Sequence, residues 1–265
     1  MSVAAEEPDR RGCYRRLLVV IRHGGAWPDI AIQYASAWAT RDAVALVAIV
    51  SDSAGEDGST LQSVGRARAE DGAAVDAMRS ALIVRGLDAT QTPVQLARAG
   101  TNIRDSIAEL ADRWGADIVV TDYAAPAHLA QTSGCNVLYL PADGSRRFHV
   151  PPRRIFVASD DSASALCAVE EAKRVTGSGE LRRAYVSCDP EAGASLSSAT
   201  VVLSAAHHGD NLPYAILQAA HEWTADLLVL GTHGRVPQAR WRYGSVAAAV
   251  ALVADMPLLL VPERP

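Results

Sequence analysis

The second half of this chain repeats segments of the first half in the same order. A segment at 114–120, Trp-Gly-Ala-Asp-Ile-Val-Val, recurs at 223–229 as Trp-Thr-Ala-Asp-Leu-Leu-Val, an offset of 109 residues. Weaker matches link 17–20 with 155–158 and 137–141 with 258–262. Because repeated sequence folds into repeated structure, the 265 residues are expected to form two similar domains, 1–143 and 152–265.

Each half alternates short apolar runs with amphipathic segments. The apolar runs are typical of parallel strands buried on both faces, and the amphipathic segments are typical of helices. Strands are predicted at 17–21, 44–50, 94–97, 118–122 and 137–140, and again at 155–159, 181–187, 201–205, 227–230 and 258–261. Helices are predicted at 28–40, 103–114, 163–175, 213–223 and 246–254. The alternation predicts an α/β fold with a five-stranded, mainly parallel sheet in each half and helices on both faces.

The two halves differ by one helix. The first half has an apolar pattern with helical spacing at 61–86, and the second half has 29 fewer residues at the corresponding place. That deficit matches one helix with its loops. The second half is therefore expected to leave part of its sheet uncovered, an opening that a second copy of the chain or the N-terminal segment would cover.

Composition excludes several classes of protein. The net charge of −5 gives no basic surface for nucleic acid or an anionic membrane. No apolar run approaches the ~18 residues of a membrane span. The four cysteines are far apart, and residues 1–16 lack the apolar stretch of a secretory signal. We expect a cytoplasmic protein without disulfides, a metal site, or nucleic-acid or membrane partners.

One glycine pattern carries the chemistry. After the predicted strand at 227–230 come Gly231, Gly234 and Gly244 in the spacing Gly-x2-Gly-x9-Gly, followed by Ser245 and a helix. Ligands of open α/β sheets bind at the carboxyl ends of the strands, where glycine lets the backbone approach a phosphate. The pattern therefore predicts a phosphate-binding loop.

The helix after this pattern offers an anion site. The first N–H groups of a helix have no partner inside it and point at an anion placed before its N-terminus. Here those groups belong to Gly244, Ser245 and Val246. Three arginines within the loop would add positive charge: Arg235, Arg240 and Arg242. The loop is not a Walker A motif, which needs lysine before its Ser or Thr.

This glycine spacing, placed after a strand, resembles that of the ATP-binding members of the universal stress protein family. The segment Val-Ala-Ser-Asp-Asp-Ser at 157–162 is similar to the family's first strand followed by Asp-Gly-Ser. The resemblance covers nearly the whole chain as a tandem pair. It implies that Asp160 contacts the adenosine moiety and that the backbone of Val186 meets adenine. The chain departs from the family at Asp161, where glycine is usual, and in its missing helix.

The first half resembles the same fold without its site. Arg22 stands where Asp160 stands in the second half. The segment 124–134 is too short to hold both a glycine loop and the helix after it. Residues 1–143 are therefore expected not to bind ATP by this route.

The resemblance implies two tandem domains of the adenine-nucleotide alpha-hydrolase-like fold. Their last strands, at 137–140 and 258–261, would pair across a pseudo-twofold axis, so that the chain forms its own dimer; a homodimer also stays open. The implied function is binding of ATP, ADP or AMP, with or without Mg2+, in a stress-response or sensor module. No residue set pairs a nucleophile with a base, so we expect no dedicated catalysis and at most slow ATP hydrolysis.

Other functions and roles stay open at this point. A nucleotide-cleaving enzyme of this fold would depend on His233 or Asp160, and an interaction module would bind no nucleotide. Ser245 and Asp160 are also natural helix caps, and the three glycines also suit turns. His233 also suits a solvated loop. Trp114 and Trp223 end amphipathic helices and are expected to pack in the core.

Overall fold

The computed structural model describes residues 12–22, 29–51, 61–97, 103–123, 126–141, 147–187, 201–204, 212–232 and 245–264. The strands within these ranges are β1 (Tyr14–Arg22), β2 (Ala39–Ser51), β3 (Val94–Ala97), β4 (Ile118–Thr121), β5 (Asn136–Tyr139), β6 (Arg154–Ser159), β7 (Glu180–Ser187), β8 (Val201–Ser204), β9 (Leu227–Thr232) and β10 (Leu258–Pro262). The helices are α1 (Asp29–Trp38), α2 (Leu61–Val84), α3 (Ile103–Trp114), α4 (Pro126–Ser133), α5 (Ala163–Thr176), α6 (Leu212–Glu222) and α7 (Ser245–Val253).

The ten strands form one continuous sheet in the order β3-β2-β1-β4-β5-β10-β9-β6-β7-β8. Strands pair in parallel everywhere except at β5 and β10, which run antiparallel with Leu259 opposite Leu138. The predicted pairing of these two strands is therefore confirmed. The strand order is the same on either side of this pair. The order β3-β2-β1-β4-β5 of the first five strands corresponds to β8-β7-β6-β9-β10 of the last five.

Helices cover both faces of the sheet, as the apolar runs predict. Successive residues of a strand point to opposite faces, so Leu17 and Val19 are buried on the α1, α2 and α5 side. Leu18 and Val20 are buried on the side of α3, α4, α6 and α7. The central strands are thus apolar on both faces. The polar residues that could bind a ligand lie where the strands end.

The short helix α4 agrees with one expectation. The segment 124–134 is expected to be too short for both a glycine loop and a helix, and eight of its eleven residues form a helix, Pro126–Ser133. Its buried residues Ala127, Leu129 and Ala130 give it an apolar face against the sheet. The first half is therefore shorter here in the loop before the helix, and not in the helix itself.

The matching strands β2 and β7 differ in burial. In the first half α2 lies over β2, and Val47 and Ile49 are 1% and 3% exposed. The matching residues of β7, judged by the β1–β2 and β6–β7 registers, are Arg183 and Tyr185, which are only half-buried. The segment 188–200 between β7 and β8 lies outside the described residues, so the absence of a helix there stays a prediction from the sequence.

The repeated tryptophan segment fastens the amino end of a strand. Asp226 accepts hydrogen bonds from the backbone N–H groups of Arg153 and Arg154, at 2.9 and 3.1 Å, and from that of His149, at 3.1 Å. The guanidinium of Arg154 lies 5.7 Å from the centre of the Trp223 ring. The carboxylate thus holds the start of β6 beside the end of α6.

The first half makes the same contacts. Asp117 accepts from the N–H groups of Arg15 and Arg16, at 2.7 and 2.9 Å, and the guanidinium of Arg16 lies 4.5 Å from the Trp114 ring centre. The expectation that both tryptophans pack in the core needs a correction. Each is half-buried, with apolar core on one side and an arginine on the other, because it lies at the rim of the sheet.

Replacing Asp226 with asparagine tests this anchor. Burial acts to raise the pKa of the Asp226 carboxyl, but hydrogen bonds from His149, Arg153 and Arg154 outweigh it and the pKa is lowered. A lowered pKa means that the ionised carboxylate stabilises the fold above about pH 4, and that this contribution is lost as the pH falls through the lowered value. Asp226→Asn should therefore lower the free energy of unfolding by about 1 to 2 kcal/mol at pH 7.

Urea unfolding of wild type and variant from pH 7 to pH 3 measures this effect. The difference between the two proteins should shrink as Asp226 becomes protonated, because asparagine mimics the neutral acid. Asp76→Asn serves as control, since Asp76 makes only an exposed ion pair with Arg79. A stability loss that is the same at both ends of the pH range would contradict a role for the charge.

Candidate functional site

The candidate site is the crevice at the carboxyl ends of β6 and β9. These strands are neighbours, with Ala158 opposite Leu230, and the chain leaves β6 toward β7 on the far side. The strand order therefore reverses here, and open α/β sheets bind ligands at such a reversal. Four of the predicted site residues lie in the described part of the chain: Asp160, Val186, Gly231 and Val246.

The remaining predicted residues lie partly or wholly outside the described residues. This applies to Gly234, Arg235 and Gly244, to the alternative candidate His233, and to the side chain of Ser245. The backbone of Ser245 is described, and it begins α7 as the sequence predicts. The role of the loop between β9 and α7 in phosphate binding thus remains a prediction from the sequence.

Asp160 follows β6 directly and is exposed at the crevice. Its Oδ1 accepts a hydrogen bond from the N–H of Ser162 at 3.1 Å. Ser162 is the N-cap of α5, and its hydroxyl accepts from the N–H of Ala165 at 3.3 Å. The capping role considered for Asp160 therefore falls to Ser162, while Asp160 shapes the turn before the helix with its carboxylate at the surface.

Asp161 has a backbone conformation that explains why glycine is usual at this position. Its φ is +63°, in the left-handed region that costs a residue with a side chain about 1 to 2 kcal/mol. Its N–H donates to the Ser159 hydroxyl at 3.3 Å, and its carboxylate forms an ion pair with Arg183. Sequence reasoning treated Asp161 as a departure and missed Arg183, because nothing in the pattern of β7 links the two.

Gly231 lies within β9, where it pairs with Val261 of β10. A Cβ at this position would lie 2.4 Å from the carbonyl oxygen of Ser164, in the first turn of α5. Glycine is therefore needed for the close approach of helix and strand, which is a different requirement from a turn.

Val186 lies near the end of β7. The ladder between β6 and β7 ends at the pair Ser159 and Tyr185, so Val186 stands one residue beyond it, with its side chain packed against the core. Val246, in the first turn of α7, is also half-buried against the core. Both residues thus place backbone groups, not side chains, toward the carboxyl edge of the sheet.

The matching crevice of the first half is crossed by an ion pair. Arg22, at the end of β1, donates from Nε and Nη2 to Oδ2 of Asp122, at 3.0 and 2.8 Å. By the sequence offsets Arg22 matches Asp160, and Asp122 matches Gly231. The side chain of Asp122 is 15% exposed, so the acidic partner of this ion pair lies largely buried at the end of β4. This pairing supports the expectation that residues 1–143 do not bind ATP by the same route.

The described residues hold neither a metal-ligand cluster nor a membrane-spanning helix. Nowhere in them do three His, Cys, Asp or Glu side chains come together as a metal site would need, and His207 and His208 lie outside them. No described helix has both the length and the apolar character to cross a membrane.

The sheet order and the crevice define an open-sheet α/β protein with a candidate ligand site at the strand ends. Residues 197–262 match the family model described as Universal stress protein family, a stretch that includes β9, the glycine pattern and β10. No curated protein matches the chain.

Solved structures match over nearly the whole chain. A universal stress protein from Archaeoglobus fulgidus DSM 4304 is 16% identical, with a TM-score of 0.63 over 93% of this chain and 96% of its own. A protein of Pseudomonas aeruginosa UCBPP-PA14, provisionally described as a universal stress protein, is 14% identical, with a TM-score of 0.64 over 94% and 93%. The sequence match to the family is thus confined to residues 197–262, and the solved structures show that nearly the whole chain shares the fold of these proteins.

Proposed function

We propose that this universal stress protein is an adenine-nucleotide-binding sensor or stress-response module whose site lies in residues 152–265. The observation that carries the proposal is the glycine pattern that leaves β9 and ends at the N-terminus of α7, beside the exposed Asp160 of the neighbouring strand. A phosphate-binding loop next to a carboxylate that accepts hydroxyl or amino hydrogens suits a nucleoside phosphate.

The described residues fit such a ligand. The exposed carboxylate of Asp160 is available to a ribose hydroxyl. The N–H groups that begin at Ser245 would meet the phosphates, with Arg235 as an added cation. ATP, ADP and AMP share this recognition chemistry, and Mg2+ would accompany the longer phosphate chains.

The same proposal includes two tandem domains, 1–143 without a nucleotide site and 152–265 with one. The antiparallel pairing of β5 with β10 supports an internal pseudo-dimer, since the strand order on one side is repeated on the other. The ion pair between Arg22 and Asp122 supports a division of labour, because it occupies the first crevice with side chains.

A second candidate function is an interaction module that binds no nucleotide. The same ion pair favours it, because it is the feature expected of a crevice that no longer takes a ligand. On this reading the second half would also be inactive, and the protein would act through its surfaces.

Calorimetric titration with ATP and Mg2+ separates the two candidates. The full chain, freed of any nucleotide that copurifies, should bind close to one ATP per chain. Gly234→Trp should abolish this binding with little change in Tm, because a bulky side chain in the loop blocks the phosphates. Arg22→Gln changes the residue of the first half that matches Asp160, and it should leave ATP binding unchanged.

Two outcomes would count against the nucleotide site. No binding by the unmodified chain would favour the interaction module. Binding that survives Gly234→Trp would place the nucleotide elsewhere in the protein.

A further inference from the structure

One arginine of the second half holds the turn on which Asp160 stands. Arg183, in β7 opposite Val157, donates from Nη2 to the Ser159 hydroxyl at 3.1 Å and forms an ion pair with Asp161. Asp160 lies between these two residues in the chain. The side chain of Arg183 therefore grips the residue before Asp160 and the residue after it.

The matching position of the first half carries a different side chain. The residue that matches Arg183 in the first half is Val47, which is buried under α2. The longer side chain of Arg183 reaches past the end of β6 to the turn. The side chain of Arg183 is 39% exposed, so water reaches part of its guanidinium.

The grip offsets two costs that Asp161 brings. A side chain in the left-handed region destabilises the turn, and a second carboxylate beside a phosphate site repels the ligand. The ion pair with the guanidinium of Arg183 stabilises the turn and neutralises the charge of the Asp161 carboxylate. Nη2 of Arg183 thus contacts both Ser159 and Asp161 of the turn. The buried Nε of Arg183 has no hydrogen-bond partner among the described residues.

We infer that Arg183 is a positioning residue of the proposed nucleotide site, which acts through Asp161 and Ser159 to hold Asp160 toward the ligand. The inference rests on the proposed function and adds a residue to it that the glycine pattern does not contain. Arg183, on the neighbouring strand β7, stabilises at Asp161 the backbone conformation that glycine would adopt without strain.

A double-mutant cycle in the full chain tests this inference. Arg183→Met keeps the apolar stem but removes the ion pair, and it should weaken ATP binding about tenfold. Asp161→Gly removes both the strained side chain and its charge, and it should bind ATP at least as tightly as wild type. In the double variant the loss should be rescued to within about threefold of wild type, because glycine at 161 has no strained or charged side chain that needs Arg183.

Two controls separate positioning from a general effect on stability. Arg182→Met changes the neighbouring arginine, which lies 4.7 Å over the Trp223 ring and away from the turn, and it should leave ATP affinity unchanged. Arg183→Lys keeps the charge with fewer donors and should lose affinity by less than Arg183→Met. Arg183→Lys also keeps the test usable if the methionine variant does not fold.

Each result is decisive. If wild type binds and both Arg183 variants bind within twofold of it, or if Asp161→Gly fails to rescue Arg183→Met, the inference is wrong and the nucleotide site stands without it. If wild type does not bind ATP, the proposed function fails and the inference fails with it.

Discussion

Replacing Glu171 with leucine is expected to lower the free energy of unfolding by about 2 to 4 kcal/mol. Glu171 lies in α5 and is only 4% exposed. Its carboxylate accepts from the Tyr14 hydroxyl at 2.5 Å, from Asn136 Nδ2 at 2.8 Å and from Arg174 Nε at 2.9 Å. Leucine would leave these three donors without their acceptor, and buried donors without acceptors are costly.

This cluster joins the two halves of the protein. Tyr14 belongs to β1 and Asn136 to β5, whereas Glu171 and Arg174 belong to α5. Burial, with the neighbouring charge of Glu171, raises the pKa of Tyr14 well above its usual value, so its hydroxyl stays protonated and donates. The loss of Glu171 therefore weakens the junction of the halves as well as one helix.

Thermal unfolding measures the effect. A loss of this size should lower Tm by roughly 5 to 12 °C in a protein of this length. Glu170→Leu is the matched control, because Glu170 precedes Glu171 in the same helix and makes only an exposed ion pair with Lys173. A Tm for Glu171→Leu within the scatter of that control would contradict a stabilising role for the cluster.

The sequence predicted the parts of the fold that depend on local pattern and on repetition. Apolar runs located the ten strands, and the family resemblance implied the pairing of β5 with β10. The ion pair in the first crevice was within reach of the same reasoning. Relative to the second half, arginine replaces Asp160 and aspartate replaces Gly231, and opposite charges gained together at facing positions indicate a contact.

The contacts that sequence reasoning missed are those without a local signal. Tyr14 and Glu171 are 157 residues apart, and nothing in either neighbourhood points to the other. Arg183 lies in β7 and Asp161 in the turn after β6, and no local pattern in either segment points to the other. The repeated motif did contain a signal that was misread: its tryptophan drew attention, while its aspartate makes the anchoring hydrogen bonds.

Gly231→Ala is expected to lower the free energy of unfolding by about 2 to 3 kcal/mol and to weaken ATP binding together with it. The added Cβ would lie 2.4 Å from the oxygen of Ser164 and 2.8 Å from the nitrogen of Ala165. These are backbone atoms in the first turn of α5, so no side chain can rotate away to make room. Either β9 or the start of α5 must move.

The start of α5 is joined to the proposed site, which makes this variant informative about function. Ser162 caps the helix and Asp160 is hydrogen-bonded to Ser162, so a shift of the first turn carries Asp160 with it. Gly72→Ala is the control, because a Cβ at Gly72 in α2 meets nothing within 4 Å. Alanine favours a helix over glycine, so this control should keep or slightly raise Tm.

The pattern of losses distinguishes the roles of two glycines in one motif. Gly231→Ala should lower Tm and ATP affinity in parallel, because packing of α5 on β9 sets the shape of the crevice. Gly234→Trp should lower affinity with Tm nearly unchanged, if the proposed phosphate-binding role of the loop is correct. If Gly231→Ala kept its Tm and lost only affinity, the close approach to Ser164 would be relaxed in solution, and Gly231 would act on the phosphates directly.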